Sequence, residues 1–172
     1  MYSIIKTRLL KKIVTRSLKP EQAAALESIG LELKKEIRRK FGRSLHLREV
    51  DTGSCGACES EIMAVNNPIY DLQRFGINFV ASPRHADALM VTGPLSKNME
   101  IALKKTYDAM PEPKFVITVG DCALDGGLFK GSYYIDKKIN EIVPVALHIS
   151  GCPPSPSRIM QALLDFMRKE LA

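Results

Sequence analysis

Long apolar runs, nucleotide-binding glycine motifs and hydrolase signatures are all missing from this chain of 172 residues, and cysteines number only four. No apolar run approaches the roughly 20 residues that cross a bilayer, so the chain itself is not expected to span a membrane. Its amino terminus is basic but lacks a clean apolar stretch followed by a small-residue cleavage site, which argues against a secretory signal. The absence of a G-x-G-x-x-G after a strand, and of a P-loop lysine motif, argues against nucleotide binding. With no G-x-S-x-G elbow and no Cys-His pair, a hydrolase is not expected either. Neither an internal repeat nor a low-complexity tract is present. The three histidines, His46, His85 and His148, lack metal-site spacing, and His148 reads as a packed strand residue. In an unexported chain, four cysteines with this spacing read as metal ligands before disulfides.

The composition that remains is that of a soluble globular protein, 45% hydrophobic and 26% charged. Its net charge of +6 is unevenly spread. Residues 1–48 carry 13 Lys or Arg against 4 Asp or Glu, a balance of +9, and residues 49–172 carry 12 against 15, a balance of −3. A nucleic-acid binder would be expected to carry its basic surface on the core as well. Residues 2–16 place Ile5, Leu9, Leu10, Ile13 and Val14 at helical spacing among Lys6, Arg8, Lys11, Lys12 and Arg16. That pattern predicts a basic amphipathic helix suited to an anionic membrane surface or a partner's groove. A second helix is predicted over Glu21–Phe41, with Pro20 in its first turn and Gly42 at its end. The basic run Lys34–Lys40 complements the helix dipole and reads as a solvated face, with phosphate binding as the sharper alternative. Residues 1–44 are therefore expected to form a basic helical extension, and residues 45–172 an α/β domain.

From Leu45 onward short strands alternate with helices. Strands are predicted at Leu45–Val50, Ile77–Val80, Ala88–Thr92, Phe115–Val119 and Ile142–Ile149. Helices are predicted at Glu59–Val65, Lys97–Met110 and Ser157–Leu171. This alternation implies a doubly wound, mostly parallel sheet covered by helices. Three of the strands end in glycine followed by cysteine: Gly53-Ser-Cys55-Gly-Ala-Cys58, Gly120-Asp-Cys122 and Gly151-Cys152. All four thiols are thereby placed at the carboxyl edge of one sheet, where such folds bind ligands. Asp121–Asp136 is the longest irregular stretch, and loops of that length tend to carry function.

Four thiolates suit either zinc or an iron-sulfur cluster. Structural zinc commonly uses two close pairs on small knuckles, whereas here one pair is joined by two single cysteines from separate strand ends. A cubane needs ligands converging from several loops. It is anionic, and it gains from helix amino termini such as those opened by Cys55–Cys58 and by Cys152-Pro-Pro-Ser-Pro-Ser, where Ser155 or Ser157 would cap. These features favour iron-sulfur, with zinc and disulfide pairing as alternatives.

Thr52-Gly-Ser-Cys55-Gly-Ala-Cys58 with Glu61, Gly120-Asp-Cys122 with Gly126-Gly127, and Val143-Pro-Val145 leading to Gly151-Cys152-Pro-Pro154 together resemble one family. It is the small, electron-transfer subunit of membrane-bound, energy-converting nickel-iron hydrogenases of the formate hydrogenlyase type, itself similar to the 20-kilodalton subunit of complex I. The resemblance covers residues 45–170. It implies a flavodoxin-like fold and one 4Fe-4S cluster bound by Cys55, Cys58, Cys122 and Cys152. It also implies a peripheral place on the cytoplasmic side of the cell membrane. The implied partners are a nickel-iron large subunit, a two-cluster ferredoxin-like subunit and integral antiporter- or quinone-module-like subunits, with the nickel-iron centre in the large subunit alone. The chain is expected to be part of an oxidoreductase complex without an active site of its own.

The complex I subunit has adjacent cysteines in its first motif, so the two-residue gap between Cys55 and Cys58 favours hydrogenase. Gly56-Ala57 replaces the Asn-Gly of several members, which leaves complex I-like and sulfur-reducing complexes as alternatives. A zinc-stabilised nucleic-acid-binding module is a remote third. Glu61 is read either as a first-turn dipole residue or as an interface residue tuning the cluster or passing protons, and Glu59 as the former. Asp121 and Asp125 flank Cys122; either would cap a turn, and their charge would lower a cluster's potential. The methionines at 63, 99, 110, 160 and 167 read as core or interface fillers.

Overall fold

The computed structural model describes residues 20–169. Runs rich in Val, Ile and Leu form a sheet of five parallel strands: β1 (Leu45–Asp51), β2 (Ile77–Phe79), β3 (Ala88–Thr92), β4 (Phe115–Val119) and β5 (Val145–Ile149). Their spatial order is β2-β1-β3-β4-β5, the flavodoxin-like order, whose switch point lies between β1 and β3. The expected doubly wound parallel sheet is therefore present.

Strand alternation sorts the core into two layers. Leu45, Leu47, Ile77, Ala88, Met90, Ile117, Val119 and Ile149 face one cluster, which α1 (Pro20–Phe41), α2 (Ala57–Ala64) and α5 (Pro156–Lys169) complete through Leu33, Ile37, Ile62, Ile159 and Leu163. On the other face Val50, Leu89, Val91 and Val116 meet Leu103 of α3 (Glu100–Asp108) and Met110. The two central strands, β3 and β4, are buried almost throughout, as expected for a sheet covered on both sides.

Several boundaries shift by one or two residues from the sequence reading, and three differences are larger. The third helix begins at Glu100 rather than Lys97. β5 begins at Val145, because Ile139–Glu141 is a 3₁₀ turn and Pro144 has no N–H to donate to a ladder. The stretch read as irregular opens with a short helix, α4 (Asp121–Asp125), followed by a 3₁₀ turn at Gly127–Phe129. The amphipathic helix expected over residues 2–16 lies outside the described residues, as do residues 170–172 at the end of the chain.

The expected boundary after residue 44 falls between α1 and β1, yet α1 is packed into the domain rather than held apart from it. Leu33 and Ile37 are 0% and 1% exposed, and Glu32 pairs with Arg168 of α5. Leu33→Ala is expected to destabilise the chain by about 2 to 5 kcal/mol, as for other buried leucines. Urea denaturation checks this; a loss of about 0.5 kcal/mol or less, typical of surface sites, would mean that α1 is dispensable to the core.

Candidate metal centre

The loop after β1 is tied down before it reaches its first cysteine. Buried Thr52 donates from both its N–H and its hydroxyl to the Thr92 carbonyl, at 3.0 and 2.8 Å, which fixes the loop to the end of β3. Asp51 accepts from the N–H groups of Gly53 and Ser54 through one carboxylate oxygen, each at 2.7 Å. Gly93 is required at that contact, since a β-carbon there would lie 2.5 Å from the Ser54 nitrogen. α2 then opens with Gly56 at φ 84°, and Cys58 sits in its first turn, packed against the larger core cluster.

Cys58 reaches across to the end of β4, two strands away. A β-carbon on Gly120 would come within 2.5 Å of the Cys58 sulfur, and one on Gly127 within 2.8 Å of the Cys122 sulfur. Two of the thiols thus rest on backbone that only glycine leaves open. Asp121 ties the Cys122 loop to the Cys152 loop reciprocally: its N–H donates to the Gly151 carbonyl at 2.9 Å, and its carboxylate accepts from the Gly151 N–H at 2.8 Å. Arg158 of α5 holds the same turn through the Ser150 carbonyl and hydroxyl, at 2.8 and 2.6 Å. Ser155, one of the two expected caps, accepts from the Arg158 N–H at 3.4 Å.

Burial pushes the Cys58 thiol up to about 12, and Glu59, Cys122, Cys55 and Cys152 each oppose its ionisation further. Burial also raises Cys122, offset in part by the Leu128 N–H donated to its sulfur and reinforced by Cys152 and Cys55. All four thiols therefore lie within electrostatic reach of one another, with Cys55 and Cys152 exposed and Cys58 and Cys122 half-buried. Among the described residues, no group of three or more His, Cys, Asp or Glu side chains is close enough to hold a single metal ion.

The acidic neighbours differ from expectation in one respect. Glu59, read as a first-turn dipole residue, has both carboxylate oxygens buried without a partner among the described residues, and Glu49 on β1 has one such oxygen. Burial and then the charges of Glu59 and Asp51 raise the Glu49 carboxyl to about 7. Glu49 escaped the sequence reading, although it follows Leu45 and Leu47 in the inward register of β1 and that alternation was the available signal. Glu61 is half-buried and makes no ion pair among the described residues. Asp125 caps its turn, accepting from the Gly127 N–H at 3.1 Å and pairing with Lys130 at 2.9 Å. His148 is packed, as expected, with Nδ1 2.9 Å from the Thr118 hydroxyl. Beyond Cys122 the side chains of Leu128 and Tyr133 stand 86% and 84% exposed.

Two substitutions probe this arrangement. Gly120→Ala, which forces a β-carbon onto Cys58, and Asp121→Ala, which unties the two loops, are each expected to strip bound metal while circular dichroism stays native. Asp121→Asn keeps an accepting oxygen and should retain the metal; a loss equal to that of Asp121→Ala would point to charge instead. A third expectation concerns pH. Glu49 is harder to ionise folded than unfolded, so its contribution favours the metal-free native state below about pH 4.5 and is lost as pH rises through about 7. Between about pH 5 and about pH 8 the wild-type melting temperature should fall more than that of Glu49→Gln, and equal slopes would contradict the assignment.

The family described as NADH ubiquinone oxidoreductase, 20 Kd subunit, matches residues 55–166, a span holding all four cysteines. A probable membrane-bound hydrogenase subunit, mbhJ, of Pyrococcus furiosus is 40% identical over 134 residues, which are 78% of this chain and 80% of that one. An NADH-quinone oxidoreductase subunit of Desulfovibrio desulfuricans is 43% identical over 124 residues, which are 72% of this chain and 67% of that one. Among solved structures, a chain of the membrane-bound sulfane sulfur reductase, an archaeal respiratory membrane complex, superposes with a TM-score of 0.66. It is 30% identical, and the match covers 80% of this chain and 75% of that chain.

Proposed function

The chain belongs to the NADH ubiquinone oxidoreductase 20 Kd subunit family, and we propose that it is an electron-transfer subunit carrying one 4Fe-4S cluster on Cys55, Cys58, Cys122 and Cys152. The observation that carries this reading is the delivery of four cysteines by three strand ends to one edge of the sheet, with Cys58 against Gly120 and Cys122 against Gly127 where no β-carbon would fit. When bound, such a cluster supplies a one-electron carrier. The protein's own part is to orient the four sulfurs, to donate the Leu128 N–H to Cys122, and to keep water from the Cys58 side through the core contact of α2. The Cys58 thiol is protonated in the metal-free chain, so binding releases its proton and weakens as pH falls.

The exposed side chains of Leu128 and Tyr133 beyond Cys122 support docking of this edge against another subunit. The two-residue gap between Cys55 and Cys58 supports a nickel-iron large subunit as that neighbour, with a two-cluster ferredoxin-like subunit as electron donor and integral membrane subunits beneath. On this reading the complex evolves hydrogen at the cytoplasmic side of the membrane, and this subunit has no active site of its own. No described helix is long and apolar enough to cross a membrane, which fits peripheral attachment. The likeness to the sulfane sulfur reductase chain favours a second reading, in which the same relay serves an acceptor other than protons.

The test is the complex purified from native membranes with this chain tagged. Hydrogen evolution with reduced ferredoxin is expected, and it should disappear in Cys122→Ser while every subunit still co-purifies. Turnover with quinone or polysulfide alone would transfer the relay to the second reading, and full activity in the Cys122→Ser complex would remove the relay itself.

A further inference from the structure

The electron relay uses only the carboxyl edge of the sheet. At the opposite edge, where β1 and β2 begin, lies a cleft of about 490 Å³ between the last turns of α1 and the 3₁₀ turn Leu72–Phe75. Lys34, Arg38, Arg43 and Arg74 line it together with Ser44, and no carboxylate is among the described lining residues. With β1 seven residues long, this cleft stands about 20 Å from the cysteines at ~3.3 Å per residue.

The four cations are not equivalent. Arg43 is held by Asp87 through two hydrogen bonds, at 2.9 and 2.6 Å, and Arg74 by Glu27 at 2.8 Å. These carboxylates lie outside the lining, so the two arginines are fixed in place with much of their charge balanced. Lys34 and Arg38 make no ion pair among the described residues, and they leave the cleft with two uncompensated charges. Dipole compensation accounts for Arg38 in the last turn of α1. It does not account for Arg43 and Arg74, which approach the same space from outside that helix.

We propose that this cleft binds a phosphate group, with Lys34 and Arg38 neutralising its charge and the prepositioned Arg43 and Arg74 framing it. Arginine forks and a lysine ammonium are the side chains suited to phosphate oxygens, and fixing two of them beforehand reduces the ordering cost of binding. The shared chemistry is that of a phosphate monoester or diester, carried either by a phospholipid headgroup or by a soluble phosphate compound. The proposal does not depend on the cluster or on the identity of the large subunit.

The full-length iron-loaded chain is titrated with inorganic phosphate by calorimetry and is sedimented with phosphatidylcholine vesicles made with and without phosphatidylglycerol. Lys34→Gln with Arg38→Gln removes the uncompensated charges and spares the Arg43–Asp87 pair. Lys104→Gln with Lys105→Gln on α3 removes equal charge elsewhere. The cleft variant is expected to weaken binding by roughly tenfold or more, the scale of one or two charge-assisted hydrogen bonds, while the α3 variant stays near wild type. A loss confined to phosphatidylglycerol vesicles assigns the cleft to a lipid headgroup, and a loss with inorganic phosphate assigns it to a soluble compound. No binding of either probe, or equal loss in both variants, overturns the proposal.

Discussion

Backbone must come within van der Waals contact of sulfur for this site to exist, and everything else at the cysteine edge follows from that constraint. Gly120 and Gly127 lie where any β-carbon would collide with Cys58 or Cys122, so these two thiols rest on main chain rather than on side chains. Parallel strands make the arrangement available, because β1, β4 and β5 all deliver their following loops to one edge. Thr52 then holds the loop after β1 to the end of β3, and Asp121 holds the turns after β4 and β5 to each other. Rigid strands thus set the approximate position of each cysteine, and a few hydrogen bonds refine it.

Electrostatics at this edge run against the bare chain. A thiol raised to about 12 and a carboxyl raised to about 7 both resist ionisation where they stand, and Glu59 beside them has two buried oxygens without a partner among the described residues. The two apolar layers either side of the sheet support that cost, since they lie on its faces and not at its edge. Most of the core therefore lies away from the cysteines, although Cys58 packs against the larger cluster. The opposite edge has the reverse polarity, with arginines and a lysine around a cleft and acids held behind them.

Much of the fold was legible in the chain because its strongest signals are local. β3 and β4 match their expected limits residue for residue, since each is a short run of apolar residues and threonine bounded by turn residues. The start of β5 was read too early, because the apolar residues Ile142 and Val143 were given more weight than Pro144, which cannot donate to a ladder. The four cysteines were legible through their recurring glycine contexts. Glu49 was not, because whether a strand carboxylate is buried depends on what packs over it, and the burial of Glu59 was missed for the same reason. Asp121 was flagged for its charge, but its bond to Gly151 joins residues 30 positions apart and has no local signature.

The central claim is that the four thiols hold one inorganic cluster rather than a lone ion or a pair of disulfides. Mössbauer spectroscopy of the full chain, produced in cells grown on ⁵⁷Fe and purified without oxygen, addresses it most directly. The account predicts the quadrupole doublet of a cubane with delocalised iron valence. A spectrum without iron bound to this chain, or one of a single tetrahedral iron in thiolate coordination, would contradict it.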